Sequence, residues 1–302
     1  MIPRVPGGRI HGSLTPRQET VLAAAFPGMA VAADHSWPTG ATVLEFVAGG
    51  GRYILKAAED SHHIVREARA HQTWLGPLAG NAPELVLYDG RAGLLVTRHL
   101  PGHIALGSPA AGDPDVFRQA GSLLAHLHRG AFGGERASTR YEAAMVRRSA
   151  NLVERSRGLA PAEELETLAR WLRNFAPSPV ELVPTHGDFQ PRNWLVRPDG
   201  RVALIDFGRA DLRPWYTDLV RLEHQELAGR GDLRSALLEG YGGPSAPPRS
   251  AGWMLDNVLQ SLGTVVWAHE RGDAAFERQG RGMLATTVRT LGEGPWPPDS
   301  VR

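Results

Sequence analysis

The sequence predicts an α+β fold, with a small antiparallel sheet before about residue 98 and a larger, mainly helical part after it. Up to that point, short runs rich in Val, Ile, Leu and aromatic residues alternate with turn signals, the pattern of antiparallel strands. From residue 113 onward, apolar residues return at spacings of three and four, the period of helices with one buried face. Between the two, Arg98-His99-Leu100-Pro101-Gly102 interrupts regular structure. Two lobes are expected, 1–98 and 99–302, with a hinge at about 97–102.

In chain order, residues 1–12 are rich in Pro and Gly and read as a loose lead-in. Ser13 or Thr15 caps a helix to about Ala25, with Pro16 in its first turn, and Phe26-Pro27-Gly28 ends it. Strands follow over 30–33, 42–47 and 52–57, the last two joined at Gly49-Gly50-Gly51. A helix over about 61–74 carries Glu67. Two more strands, 83–88 and 93–97, meet at Asp89-Gly90-Arg91 and complete a five-stranded sheet. Asp113-Pro114 opens a helix to about 129, with Phe117, Ala120, Leu123, Leu124 and Leu127 on one face. Helices are expected over 139–156 and 161–175, the second with Glu163 and Glu164 in its N-terminal turn. Four more, 218–227, 232–241, 252–271 and 274–291, have short connections that suit a compact helical part.

A chain of 302 residues with 42% apolar content can bury a substantial core. Its 33 basic and 32 acidic residues give a net charge of +1, so it carries no global field for nucleic acid or an anionic membrane. No run of about 18 apolar residues is present to span a bilayer. The start, Met1-Ile2-Pro3-Arg4-Val5-Pro6-Gly7-Gly8, lacks the apolar stretch of a signal peptide, and a cytoplasmic enzyme, monomeric or dimeric, is expected. The absence of Cys excludes disulfides, thiolate nucleophiles and Cys-ligated zinc. Pairs such as His62-His63 and His126 with His128 lack the i, i+4 spacing of a zinc-binding helix. Lys56 is the only lysine in a chain that otherwise uses Arg, which suits a position needing a compact ammonium; its survival by chance is the plainer reading.

The stretch from Val183 to Asp218 concentrates the chemistry. Asp188 and Asn193 lie five residues apart on one loop, and Asp206 follows thirteen residues beyond Asn193. That second interval fits a hairpin: out along 193–196, a turn at Arg197-Pro198-Asp199-Gly200, and back along 201–205. A hairpin returns its second strand beside the start of its first, so Asn193 and Asp206 should meet, as a shared metal requires. The pattern reads as a phosphoryl-transfer site that converges on one Mg-nucleotide and one hydroxyl. Lys56, at a strand end eleven residues before Glu67, can form an ion pair that aims its ammonium at nucleotide phosphates. A solvated Glu is the plainer reading of Glu67. The extended backbone of Arg98, His99 and Leu100 can hydrogen-bond a nucleotide base, or be a simple interdomain turn.

His186-Gly187-Asp188 with Asn193, Asp206-Phe207-Gly208, Lys56 and Glu67 together resemble the aminoglycoside phosphotransferase and choline-kinase-like branch of the protein-kinase-like fold. Gly187 stands where protein kinases carry Arg, and no G-x-G-x-x-G loop is present, so the resemblance is to small-molecule kinases. It implies that Asp188 orients the acceptor hydroxyl and accepts its proton, and that Asn193 and Asp206 bind Mg2+. It further implies that Lys56, oriented by Glu67, contacts the α- and β-phosphates of ATP or GTP. Ser36 begins a turn, 36–40, in the phosphate-covering position. His186 resembles a buried His that hydrogen-bonds within the catalytic loop, and Asp218 an Asp that braces that loop. Gln190 and Arg192 can reach phosphate or acceptor, or simply be solvated.

The acceptor is expected between the catalytic loop and the late helices. From Arg209 to the C-terminus there are twelve acidic and eleven basic residues, so the acidic excess that suits a polycationic aminoglycoside is missing. Glu223, Glu270, Asp273 and Glu277 can still cluster, and Trp253, Trp267 and Phe276 can form an apolar wall. The expectation is a hydroxyl-bearing small molecule: an antibiotic, or a sugar- or nucleoside-containing metabolite. The alternatives are a housekeeping kinase of a choline-, homoserine- or sugar-like alcohol and a catalytically silent nucleotide-binding module.

Overall fold

The computed structural model describes residues 10–36, 40–59, 62–130, 137–138, 140–243 and 246–299. Helix α1 (Pro16–Ala25) starts at a reciprocal cap: the Gln18 amide donates to the Thr15 hydroxyl, and the Thr15 amide to the Gln18 side chain at 2.9 Å. Gln18 then donates to the Ala92 carbonyl, tying the helix to a turn of the sheet. That sheet comprises β1 (Ala30–Asp34), β2 (Thr42–Ala48), β3 (Gly51–Ala57), β4 (Leu85–Asp89) and β5 (Leu94–Arg98), in the order β1-β2-β3-β5-β4. The five expected strands are all present.

Strand alternation sorts the two faces of this sheet. Leu44, Phe46, Leu55, Leu94 and Val96 face one way and form a core with Leu14, Leu22 and Phe26 of the α1 region. The Phe26 and Phe46 rings meet edge to face at 5.0 Å. Glu45 and Lys56 stand at the alternate positions. Lys56 is opposite Val43 on one side and Leu95 on the other, near the end of β3. Helix α2 (His62–Thr73) seats Ile64 and Ala68 against Leu95, which brings Glu67 to the Lys56 face.

The chain divides into two compact units, residues 1–132 with 186–211 and residues 133–185 with 212–302. The expected hinge at 97–102 therefore falls inside the first unit. The reason is local: the chain runs directly from it into β6 (His103–Ile104), which pairs with β10 (Trp194–Val196) of the hairpin. Two-residue strands such as β6 are too short to show a sequence period. Helix α3 (Pro114–His128) completes this unit. Phe117 meets the Trp194 ring edge-on at 4.9 Å, and Gln119 accepts from the Val202 amide at 3.0 Å.

The second unit holds two small ribbons, β7 (Ala137–Ser138) with β8 (Val180–Glu181) and β9 (Val183–Thr185) with β12 (Asp211–Arg213), the last strand beginning on the final residue of the first unit. Its helices are α4 (Tyr141–Arg155), α5 (Ala162–Arg173), α6 (Val220–His224), α7 (Gly231–Tyr241), α8 (Ala251–Glu270) and α9 (Ala274–Leu291). The helix expected over 218–227 is broken: a tight turn, Trp215–Asp218, precedes the short α6, and the chain leaves helical geometry at Gln225, with φ −119° and ψ −94°. That exit allows Leu227 to be fully buried.

Inside this unit two acids, Glu142 and Asp256, are shut away from water, with the partly buried Asp299 beside them. Glu142 of α4, only 1% exposed, accepts from Ser178, and its other oxygen finds no donor among the described residues. Asp256 of α8 accepts from Thr217, and Tyr216 donates to Asp299 at 2.6 Å. Gly252 makes room for them, because a Cβ there would lie 2.1 Å from Asp299 and 2.8 Å from Glu142. Burial pushes the Asp256 carboxyl up to about 7; Thr217 and Arg213 act against this, while Asp299 and Glu142 add to it. A carboxyl raised in the folded state stabilises below its unfolded value and loses that contribution as pH rises toward 7. Replacing Asp256 with Asn, which keeps an acceptor for Thr217, is expected to raise the melting temperature by roughly 5 °C at pH 8 and much less at pH 4.5. Thermal scans across that pH range check this; equal shifts at both ends contradict it.

Candidate phosphoryl-transfer site

Three chain segments of the first unit meet at Lys56. Its ammonium lies 2.7 Å and 3.0 Å from the two oxygens of Glu67 and 2.6 Å from Oδ1 of Asp206. Each partner is placed by a different element: Lys56 by β3, Glu67 by α2, and Asp206 by the loop after β11 (Val202–Leu204). Glu67 is buried, whereas Asp206 is about half exposed. Burial alone would depress the Lys56 ammonium; Asp206 and Glu67 outweigh it and hold it above its ordinary value. The Lys56 charge in turn keeps the Asp206 carboxyl well below the carboxylate range. For Glu67, burial dominates and pushes the carboxyl up, with Lys56 opposing it.

Asp206 has φ +63°, the one left-handed non-glycine residue among those described. The neighbouring bonds hold it there. The Ile205 amide donates to the Asn193 carbonyl at 3.0 Å, and the Gly208 carbonyl lies 2.8 Å from Nδ1 of His63. Phe207 is fully buried against the rings of His186 and His71, at 4.7 Å and 5.9 Å. His186 Nε2 lies 3.1 Å from the Ile205 carbonyl, so this buried His joins the two halves of the stretch, whereas the resemblance implied a bond within the loop. Burial pushes His71 down to about 4, which keeps it neutral beside Phe207.

The hairpin is present, with Trp194 opposite Leu204 and Val196 opposite Val202, and Gly200 in its turn at φ +79°. It brings the backbones of Asn193 and Ile205 into contact, one residue short of Asp206. On the loop, Asn193 Nδ2 donates to the Asp188 carbonyl at 2.8 Å and to its Oδ2 at 3.2 Å. With the side-chain nitrogen committed, Oδ1 of the Asn193 side chain is the atom offered to a cation. Arg192 donates to the other carboxylate oxygen of Asp188 at 2.6 Å. The sequence named Arg192 without a partner. An i, i+4 ion pair across the turn Pro191–Asn193 has no periodic signature to reveal it.

The remaining expected residues divide. Ser36 accepts from the Val43 amide at 2.9 Å, and Val43 is opposite Lys56, so Ser36 closes the sheet at its Lys56 end. Residues 37–39 of the expected phosphate-covering turn lie outside the described residues. At the expected hinge, the Arg98 amide donates to Glu84 at 2.8 Å and the His99 amide to Arg52 at 3.0 Å. Their N–H groups are thus used by the sheet. Asp218 belongs to the second unit, buried at the end of its turn. No group of three or more His, Cys, Asp or Glu that could hold a metal occurs among the described residues. The donors at hand are two hard oxygens, from Asp206 and Asn193, a set that fits Mg2+ shared with phosphates.

An antiparallel sheet bearing the sole lysine, joined to an Asp and Asn loop and a hairpin ending in Asp206, defines a protein-kinase-like phosphotransferase fold. Residues 38–253 match the sequence profile of the phosphotransferase enzyme family, and the chain belongs to that family. Aminoglycoside phosphotransferase APH(4)-Ia, solved as a thermostable mutant with ADP and hygromycin B, is similar at 16% identity and TM-score 0.65, over 91% of this chain and 99% of that one. Choline kinase LicA from Streptococcus pneumoniae is similar at 16% identity and TM-score 0.62, over 90% and 98%. Macrolide 2'-phosphotransferase MphH from Brachybacterium faecium is similar at 22% identity and TM-score 0.60, over 87% and 96%. No curated protein sequence matches. No helix among the described residues is long and apolar enough to cross a membrane.

The Lys56 environment can be read chemically, because no other side-chain amine is present. Removing the charge of one carboxylate with Asp206→Asn lowers the ammonium's proton affinity and exposes more free amine. Acylation of Lys56 by an amine-reactive ester at pH 8.5 is expected to be slow and to speed up about 10-fold in that variant, the equivalent of one pKa unit. Peptide mass spectrometry checks the rate; an unchanged rate removes the electrostatic account of Lys56.

Proposed function

We propose that this chain transfers the γ-phosphate of Mg-ATP or Mg-GTP to a hydroxyl of a small molecule. The observation that carries the reading is the Lys56 ammonium bonded to Glu67 and Asp206, beside a loop on which Asn193 holds Asp188. In the loose transition state of phosphoryl transfer the protein chiefly aligns groups and balances charge. Asp188 orients the hydroxyl and takes its proton as the acceptor oxygen bonds to phosphorus and the bond to the bridging oxygen of the leaving diphosphate breaks. Lys56, aimed by Glu67, binds the α- and β-phosphates. Asp206 and the side-chain Oδ1 of Asn193 would hold Mg2+, which when bound would neutralise phosphate charge. The backbone near Arg98, His99 and Leu100 meets the base, and a lobe hinge lies at 97–102.

The acceptor is a hydroxyl-bearing compound without high positive charge, an antibiotic or a sugar- or nucleoside-containing metabolite. Support comes from the carboxylates of the second unit that could have formed an acidic surface. Glu223 is bound by Arg234 at 2.6 Å, Glu270 by Arg155 at 2.5 Å and Glu277 by Arg281, while Asp273 caps α9. Each is already engaged, which leaves little to attract a polycation.

Mass spectrometry for an added phosphate, across antibiotics and alcohol metabolites with ATP and with GTP, tests the reading. A product on neutral hydroxyl compounds supports it; activity on aminoglycosides alone contradicts the acceptor class. Asp188→Ala is expected to lower turnover by at least 1,000-fold with little change in nucleotide affinity, whereas Asp206→Ala weakens Mg-nucleotide binding as well. Turnover at the wild-type rate in Asp188→Ala would sink the assignment.

A further inference from the structure

Resting on the phosphotransferase reading, we infer that Arg192 supplies, from within the catalytic loop, the cation that faces the phosphoryl group in transit. The requirement is electrostatic, since charge accumulates on the oxygens of the moving phosphoryl and its flanking atoms. Lys56 is the only lysine and is anchored between Glu67 and Asp206. Beyond the metal, a second fixed side-chain cation must therefore be an arginine. Of the other arginines on the stretch, Arg197 donates to Gly80 and Arg201 to Asp199 near the turn of the hairpin, Arg213 donates to Thr185, and Arg209 follows the Asp206-Phe207-Gly208 run outside the loop. Arg192 instead donates to Asp188, on the carboxylate oxygen opposite the one that Asn193 holds.

Local structure explains why the guanidinium arrives there. Pro191 opens a single tight turn, in which the Asn193 amide donates to the Gln190 carbonyl at 2.8 Å. That turn folds residue 192 back over residue 188, and Asp188 itself is buried. The Arg192 side chain is 39% exposed, so part of its planar fork of N–H groups faces outward while one edge grips Asp188. Any group reacting at Asp188 thus lies against this guanidinium on one side and the Asn193 amide on the other.

The chemistry couples the two residues. The acceptor oxygen forms its bond to the γ-phosphorus, the bond from that phosphorus to the bridging oxygen breaks with its electron pair going to the nucleoside diphosphate, and the hydroxyl proton passes to Asp188. As the proton arrives, Asp188 loses the charge that held Arg192. The guanidinium then gives its N–H groups to the phosphoryl oxygens, where negative charge is greatest. Arg192 is a catalytic residue in this account, an arginine finger supplied by the enzyme's own loop.

The test uses ADP, Mg2+ and fluoroaluminate, a planar mimic of the phosphoryl in transit, with water in the acceptor position. Wild-type protein is expected to bind ADP at least 10-fold more tightly when Mg2+ and fluoroaluminate are both present than with Mg2+ alone. Arg192→Gln should lose that gain while its Mg-ADP affinity stays within about 2-fold of wild type, and Arg192→Lys should recover part of it. An undiminished gain in Arg192→Gln overturns the role of Arg192 and leaves the phosphotransferase reading standing. So does a wild type without any gain, or an Arg192→Gln protein that loses Mg-ADP binding as well, which would make Arg192 a structural residue. A wild type that binds no Mg-ADP overturns both.

Discussion

Lys56 carries one positive charge between two carboxylates, and much of the first unit is arranged to keep it there. An ammonium taken out of water is costly unless its donors are paired. Glu67 and Asp206 meet that need at 2.7 Å and 2.6 Å, from a helix and a loop distant in sequence. The sheet core fixes the end of β3, the contact of Ile64 and Ala68 with Leu95 fixes α2, and the hairpin fixes the approach to Asp206. One ammonium facing two carboxylates leaves an excess of negative charge. A divalent cation bound at Asp206 would reverse that excess and free the ammonium for phosphate, which gives the site a reason to prefer metal and nucleotide together.

The strained backbone at Asp206 belongs to the same arrangement. A left-handed Asp is tolerated better than most residues but is still disfavoured. Here it is fixed on both sides, by the Ile205 amide on Asn193 and by Phe207 packed between His186 and His71. The conformation turns the carboxylate out of the hairpin toward Lys56 while the next ring is buried. Buried apolar packing therefore sets the direction of the exposed reactive group.

Much of this was legible in the sequence because it depends on spacing. Thirteen residues between Asn193 and Asp206 fit a hairpin, and the structure contains one. A sole lysine at a strand end, with a Glu eleven residues later, allowed either an ion pair or a solvated Glu, and the fold makes the ion pair. The Arg192 to Asp188 contact, the Asp206 to Lys56 contact and the strand β6 were not legible, since each depends on a turn or a long-range approach with no period. Pro101 and Gly102 mark a break in regular structure, but the N–H groups of Arg98 and His99 are already used by the sheet, which residue types alone do not reveal. The second unit supplied its helices to the sequence reader and withheld its buried acids, whose positions depend on packing around Gly252.

Two oxygen ligands from one chain are too few to hold a hard divalent ion alone, so metal and nucleotide should bind as one unit. The most direct measurement is an electron paramagnetic resonance titration with Mn2+, which accepts the same carboxylate, carbonyl and water ligands as Mg2+. The account expects one Mn2+ bound per chain when ADP is present, little without it, and loss of that metal in Asp206→Asn. Tight Mn2+ binding in the absence of nucleotide, or binding indifferent to Asp206, would contradict it.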